Sequence, residues 1–325
     1  MEDQARLALF ADNARAAKKA FAWRNASVNR LAALLYAAEG REIDIEAVRD
    51  NLERVKRSTG MFSMFRGDSA ISLAAQLSLS GDPEARLADA LAVYELLKDA
   101  KFRASPYLPI AAYQIAANAS PDRFGSTVAR AQSFYAAMKA NHRFLTGQDD
   151  YIYAAMLALS DVEVEAGTER MEWLYAALKP ELRAGNALQA LTQVLVLGDE
   201  GGRPEERVLA LKGAFRERGF PMDRSYTLPS LGVLALLPRE NRDIVEETAL
   251  SFEWLREQKG FGAWSVDKQE LLLHAAALVA YRSMADGVVP LSALATSLTN
   301  LIVAQQAAIA AAAATAAAAS SSSSS

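Results

Sequence analysis

The 325-residue sequence has no cysteine. That excludes disulfides, thiol nucleophiles and cysteine-held metal. Histidine is almost missing: His142 and His274 stand 132 residues apart, poor material for a zinc site. No Gly-x-Ser-x-Gly elbow is present. The densest glycine cluster, Gly198-Asp199-Glu200-Gly201-Gly202, carries two acids, which a phosphate avoids. Neither sign of charge dominates: 35 basic residues face 39 acidic ones, for a net charge of −4. No bulk electrostatic case exists for a nucleic-acid partner. The start, Met1-Glu2-Asp3-Gln4, lacks the apolar core of a secretory signal, which points to the cytoplasm. No cofactor and no metal are expected.

Long hydrophobic runs are also scarce. The exception is the uncharged stretch Gly287–Ser325. Its alanine-rich part is long enough to cross a bilayer. Asn300, Gln305, Gln306 and the many alanines give it little drive to insert, so a membrane is not the expected partner. We read residues 288–319 as a capping helix and 320–325 as a serine-rich disordered tail, after a single helical domain over 1–287.

What is abundant is alanine, with 51% apolar residues in all. Alanine loses no side-chain entropy in a helix, so the composition predicts an all-α protein. Apolar spacing places helices over roughly 4–22, 25–38 and 44–59. A two-helix unit then recurs about every 40 residues: a short apolar helix, a polar turn, and a longer amphipathic helix. A basic residue follows a large apolar one near the end of each long helix, at 56, 98, 139, 179, 216 and 256, with intervals of 42, 41, 40, 37 and 40. Cations there face the negative end of the helix dipole. Ser105-Pro106-Tyr107-Leu108-Pro109 also resembles Ser225-Tyr226-Thr227-Leu228-Pro229, three periods later. Helix pairs that cannot bury their own apolar faces stack on one another. The expected architecture is a superhelix of about six hairpins, with a closed α/α toroid as the alternative.

Four ordered motifs carry a resemblance: Ser27-Val28-Asn29-Arg30-Leu31, Phe62-Ser63-Met64-Phe65-Arg66-Gly67, Tyr107-Leu108-Pro109-Ile110-Ala111-Ala112-Tyr113, and Leu145-Thr146-Gly147-Gln148-Asp149-Asp150-Tyr151. They resemble the bacterial domain-of-unknown-function family 4003 over roughly residues 15 to 300. One departure is Asp68, where several relatives would carry histidine. The resemblance implies a bacterial cytoplasmic protein and supplies no activity.

Candidate site residues gather where a long helix ends and a short one begins. They are Arg66 and Asp68; Tyr107 and Tyr113; His142, Thr146, Asp149, Asp150 and Tyr151; and Asn186 and Gln189. Helix starts present free N–H groups that suit an anion. The same residues suit capping: Thr146 and Asp149 have the capping-box spacing. Arg66 could grip a phosphate or carboxylate, or tie to Asp149 or Asp150. Adjacent Asp149 and Asp150 point about 100° apart on a helix, which disfavours one shared ion. Tyr94, Phe134, Trp173 and Trp254 read as core, and His274 as a buried structural histidine. The function is therefore unassigned. The sequence favours a binding or scaffold protein holding a protein segment or a small polar ligand along this edge. The alternative is an enzyme using Arg66, Asp149, Asp150 and Tyr107.

Overall fold

A computed structural model describes residues 2–67, 70–183, 185–198, 202–224 and 227–285. The described residues are all-α, with fourteen α-helices and two 3-10 turns. In chain order these are α1 (Glu2–Ala20), α2 (Ala26–Ala38), α3 (Ile45–Ser58), α4 (Ala70–Leu79), α5 (Pro83–Asp99), α6 (Leu108–Asn118) and α7 (Phe124–Asn141). There follow α8 (Asp150–Leu159), α9 (Val164–Leu178), α10 (Asn186–Leu197), α11 (Pro204–Glu217), α12 (Thr227–Ala235), α13 (Asn241–Glu257) and α14 (Lys268–Ala285). The 3-10 turns are Met64–Arg66 and Pro121–Arg123. The alanine-rich segment and serine tail lie outside the described residues, as do Asp68, Ser225, Tyr226 and Asp199–Gly201.

From α4 onward, short helices alternate with long ones. Every residue of α12 is buried, and α8 is buried from Asp150 through Ala158. Such helices are apolar around the whole circumference, so water is excluded from every side. The long helices bury one stripe: Val208, Leu211 and Phe215 in α11, and Leu87, Ala90, Val93 and Leu97 in α5. Starts and stops follow the chemistry of the ends. Asp44 accepts from the Ala47 N–H at 2.9 Å, and Asp82 from those of Glu84 and Ala85 at 3.1 and 3.0 Å. These bonds satisfy donors that a first turn leaves open.

The described residues divide into two compact units, one formed by Glu2–Ser133 with Gly147–Leu159, the other by Phe134–Thr146 with the described residues from Ser160 onward. In the first, α2 packs on α4 and α6 on α8, while α3 packs on α5. In the second, α10 packs on α12 and α12 on α14, while α9 packs on α11 and α11 on α13. Even-numbered helices thus pack on even-numbered ones and odd-numbered on odd-numbered. Helices α10 and α12 approach each other closely. A Cβ added to Gly232 would stand 2.6 Å from Leu191 Cδ1 and 3.0 Å from Val194 Cγ1. Only glycine permits that spacing.

An arginine early in a long helix reaches back to the end of the short helix that follows it. Arg6 in α1 donates to the Ala38 carbonyl at the end of α2, at 2.7 Å. Arg86 in α5 donates to the Ala116 carbonyl in α6, and Arg207 in α11 to the Arg239 carbonyl just past α12. Carbonyls in a last helical turn have no intrahelical partner, so each guanidinium both caps a helix and closes a hairpin.

Candidate functional site

Among the described residues, four of the seven loops that follow an odd-numbered helix hold large apolar side chains in solvent, whereas those after α5, α9 and α11 bury Phe102, Leu182, and Phe220 with Met222. Trp23 follows α1, Met61 and Phe62 follow α3, Phe144 follows α7, and Trp264 follows α13. Phe62 is 91% exposed, Phe144 97%, and Trp264 wholly so. A single exposed apolar residue is ordinary, but a recurrence at one type of junction is not a scatter.

Each of these loops is braced from behind. Arg66 donates from Nε to Thr59 Oγ1 at 3.1 Å, and from Nη2 to the carbonyls of Lys56 and Thr59. It therefore closes the segment that displays Met61 and Phe62. Arg256 does the same for Trp264, donating to the carbonyls of Phe261 and Val266 at 2.9 and 2.8 Å. Burial holds its guanidinium below the usual arginine range, against the pull of Asp267. Asn29 Nδ2 donates to the Phe21 carbonyl at 3.0 Å, beside Trp23. Behind Phe144, the Thr146 N–H donates to the His142 carbonyl at 2.9 Å, and Thr146 Oγ1 to the Met138 carbonyl at 3.1 Å.

Basic residues flank the exposed side chains. Lys18 and Lys19 precede Trp23, Lys56 and Arg57 precede Met61, Arg143 adjoins Phe144, and Lys259 and Lys268 bracket Trp264; all seven are exposed. In the first unit, short loops between α1, α2 and α3 make successive helices antiparallel. The C-terminal ends of α1 and α3, which pack on each other, therefore lie at one end of that unit with Trp23, Met61 and Phe62.

Several of the polar residues singled out from the sequence are buried or turned to the backbone instead. Arg66 spends its guanidinium on its own loop, at Thr59 and Lys56. Thr146 is buried and turned back toward α7, so its hydroxyl does not complete a capping box. That hydroxyl also accepts from Gln189 Nε2 at 2.8 Å; Gln189 is buried, and its carbonyl oxygen has no hydrogen-bond partner. Asp150 is buried at the start of α8 and accepts from the Gly147 N–H at 2.7 Å. Asp149 is half-buried beside it. Tyr151 is buried; its hydroxyl accepts from the Arg103 N–H at 3.2 Å, and its ring meets Phe102 edge-on at 4.8 Å. Tyr113 is buried in α6, and desolvation pushes its phenol up to about 12 despite Arg86. Tyr107 is half-buried at the start of α6, and Asn186 exposed at the start of α10. His142 Nε2 lies 3.0 Å from Glu172 Oε1, with its ring 4.4 Å from that of Tyr175. The structure thus brings together Thr146 and Gln189, but as a buried structural pair. Among the described residues, no group of three or more His, Asp or Glu side chains could hold a metal ion.

Trp173 corrects another expectation. It is half exposed, not core, and Arg170 covers its ring at 4.5 Å. Phe134 and Tyr94 are buried as their spacing predicts. Sequence reasoning passed over Trp23 and Phe144 because exposure of an aromatic leaves no mark in the periodicity. Their position between a helix stop and a helix start was the available signal.

The profile of a family described as "Protein of unknown function (DUF4003)" matches residues 13–307. The chain belongs to the DUF4003 family. No functionally curated protein and no solved structure matches this DUF4003 chain. All four braced loops of this DUF4003 member lie inside the matched region.

Proposed function

We propose that the protein is a helical-repeat binding or scaffold protein of the bacterial cytoplasm. In this reading residues 1–287 form one repeat domain, a superhelix of hairpins. The alternation of buried short helices with half-exposed long ones supports it. Each unit presents its own recognition loops, Trp23, Met61 and Phe62 in the first and Phe144 and Trp264 in the second. One observation carries the reading: these side chains are exposed on loops fixed by buried or partly buried hydrogen bonds. Aromatic anchors held in place lose little freedom on binding, and such residues dominate interface energies. The flanking lysines and arginines favour a partner segment that mixes acidic with apolar residues.

Among the described residues, no helix is long and apolar enough to cross a membrane. The test is site-specific photo-crosslinking in cells. A benzophenone amino acid replaces Phe62 or Phe144, and, as control, Asp82 at an exposed short-to-long turn. A discrete protein adduct at the two aromatic positions, weakened by salt and missing at Asp82, supports the proposal. The same adducts at all three positions, or none at the aromatic ones, overturns it. An enzyme reading gains no support from Arg66 and Asp150, whose polar atoms serve the loops that carry them.

A further inference from the structure

The turns from short to long helices are mostly acidic. Glu39, Glu42 and Asp44 stand before α3, Asp82 before α5, and Asp161 and Glu163 before α9. Carboxylates are favoured there, because the positive end of each long helix begins at that point. The turn between α12 and α13 breaks the pattern. Pro238, Arg239, Glu240, Asn241 and Arg242, with Arg207 from α11, line an open cleft of about 560 Å³.

Its guanidinium groups outnumber the acids that could neutralise them. Arg207 donates from Nε to Asn241 Oδ1 at 3.1 Å and from Nη2 to the Arg239 carbonyl; both acceptors are neutral. Burial holds this guanidinium below the ordinary arginine range, and Glu240 acts on it only through space. Arg239 Nη1 lies 2.7 Å from Glu247 Oε2, but the other oxygen of Glu247 is 2.9 Å from Arg282 Nη1. One carboxylate thus serves two arginines. Arg242 is exposed; Glu246, one turn further along α13, acts on it through space, and the hydrogen bonds of Glu246 go to Arg218. The lining sets three guanidiniums (207, 239 and 242) against one carboxylate, Glu240; Glu247, shared with Arg282, and Glu246, hydrogen-bonded to Arg218, offset them only in part. The Arg207 bond alone is the hairpin closure seen at Arg6 and Arg86. The additional arginines at 239 and 242 are not explained by it.

We infer that this cleft binds a small phosphorylated molecule, through a dianionic phosphoryl group set among Arg207, Arg239 and Arg242. A phosphoryl group carries nearly two negative charges at neutral pH and three acceptor oxygens, so it can meet several guanidiniums at once where one carboxylate would meet fewer. Guanidinium presents paired N–H donors that fit phosphate oxygens. The volume falls within the roughly 300–1,000 Å³ of small-molecule sites. This inference is independent of the junction-loop reading, since it uses neither those loops nor their aromatic residues.

The test is calorimetric titration of the full chain at low salt with inorganic phosphate, glycerol 3-phosphate and malonate. We expect saturable one-to-one binding of glycerol 3-phosphate, tighter than phosphate and much tighter than malonate. Arg242→Ala, an exposed position whose removal leaves the Arg207 bond intact, should weaken it roughly tenfold or more. Glu240→Gln, which removes the opposing carboxylate, should tighten it severalfold. Equal affinity for phosphate and glycerol 3-phosphate marks an adventitious ion only and overturns the inference. So does a lack of saturation by either at about 10 mM, or affinity unchanged in both variants.

Discussion

The side-chain amide of Gln189 donates to the Thr146 hydroxyl at 2.8 Å, and that hydroxyl donates in turn to the Met138 carbonyl at 3.1 Å. All of this is buried. Thr146→Val removes the acceptor for Gln189 and leaves its amide unpaired away from water. The expected loss is ~1–3 kcal/mol in urea unfolding. Gln189→Leu removes an amide whose oxygen is already unpaired, while Thr146 keeps its bond to Met138, so it should change stability by less than ~1 kcal/mol. The reverse order would show that the pair is not structural.

Two glycines should respond with opposite signs. Gly232→Ala drives a methyl into Leu191 and the stiff Val194 across the α10–α12 contact. A loss of ~1–3 kcal/mol is expected from overpacking. Gly213 lies in α11, and a Cβ there meets nothing within 4 Å. Gly213→Ala should therefore stabilise by ~0.5–1 kcal/mol through helix propensity. Thermal unfolding of both variants checks the pair.

Tyr113 makes stability depend on alkaline pH. Its phenol ionises near 12 when folded, against 10.0 as the reference value. The raised value means the folded state holds the proton more firmly. That contribution is complete below pH 10 and is lost as pH rises toward 12. Two units correspond to ~3 kcal/mol. Unfolding free energies of the protein and of Tyr113→Phe, compared from pH 8 upward, should show a steeper decline for the protein with tyrosine. Parallel curves would contradict the assignment.

Arg86 caps α6 through the Ala116 carbonyl. Arg86→Met keeps the aliphatic stem and removes the donor, leaving that carbonyl short of a partner. The expected cost is ~1–3 kcal/mol. Because the bond closes a local hairpin, hydrogen exchange should rise first in α5 and α6.

Phe144→Ser and Trp264→Ser should leave stability within ~0.5 kcal/mol of the parent, because neither side chain is packed. Losses well above that in chemical unfolding would mean these residues serve the fold and not a partner.

The helix pattern was legible because end chemistry repeats. Lys56, Lys98, Lys139, Arg216 and Arg256 fall in last turns of long helices, and Lys179 is the C-terminal cap of α9. Burial of the short helices was legible because they carry apolar residues on all sides. The direction of polar side chains was not. Arg66 meets backbone carbonyls of Lys56 and Thr59, and a carbonyl belongs to every residue, so no partner residue marks the bond in the sequence. Thr146 has the spacing of a cap, but the carbonyl at the end of α7 and the amide of Gln189 compete for its hydroxyl and win. The side chains exposed on the junction loops are the apolar Trp23, Met61, Phe62, Phe144 and Trp264, whose exposure leaves no mark in the spacing.

The arginine closures span 30 or 32 residues: Arg86 to Ala116, Arg6 to Ala38, and Arg207 to Arg239. Closing a short loop costs little chain entropy, and local contacts speed folding. Each hairpin can therefore be latched as soon as its second helix has left the ribosome, before any distant part of the chain exists.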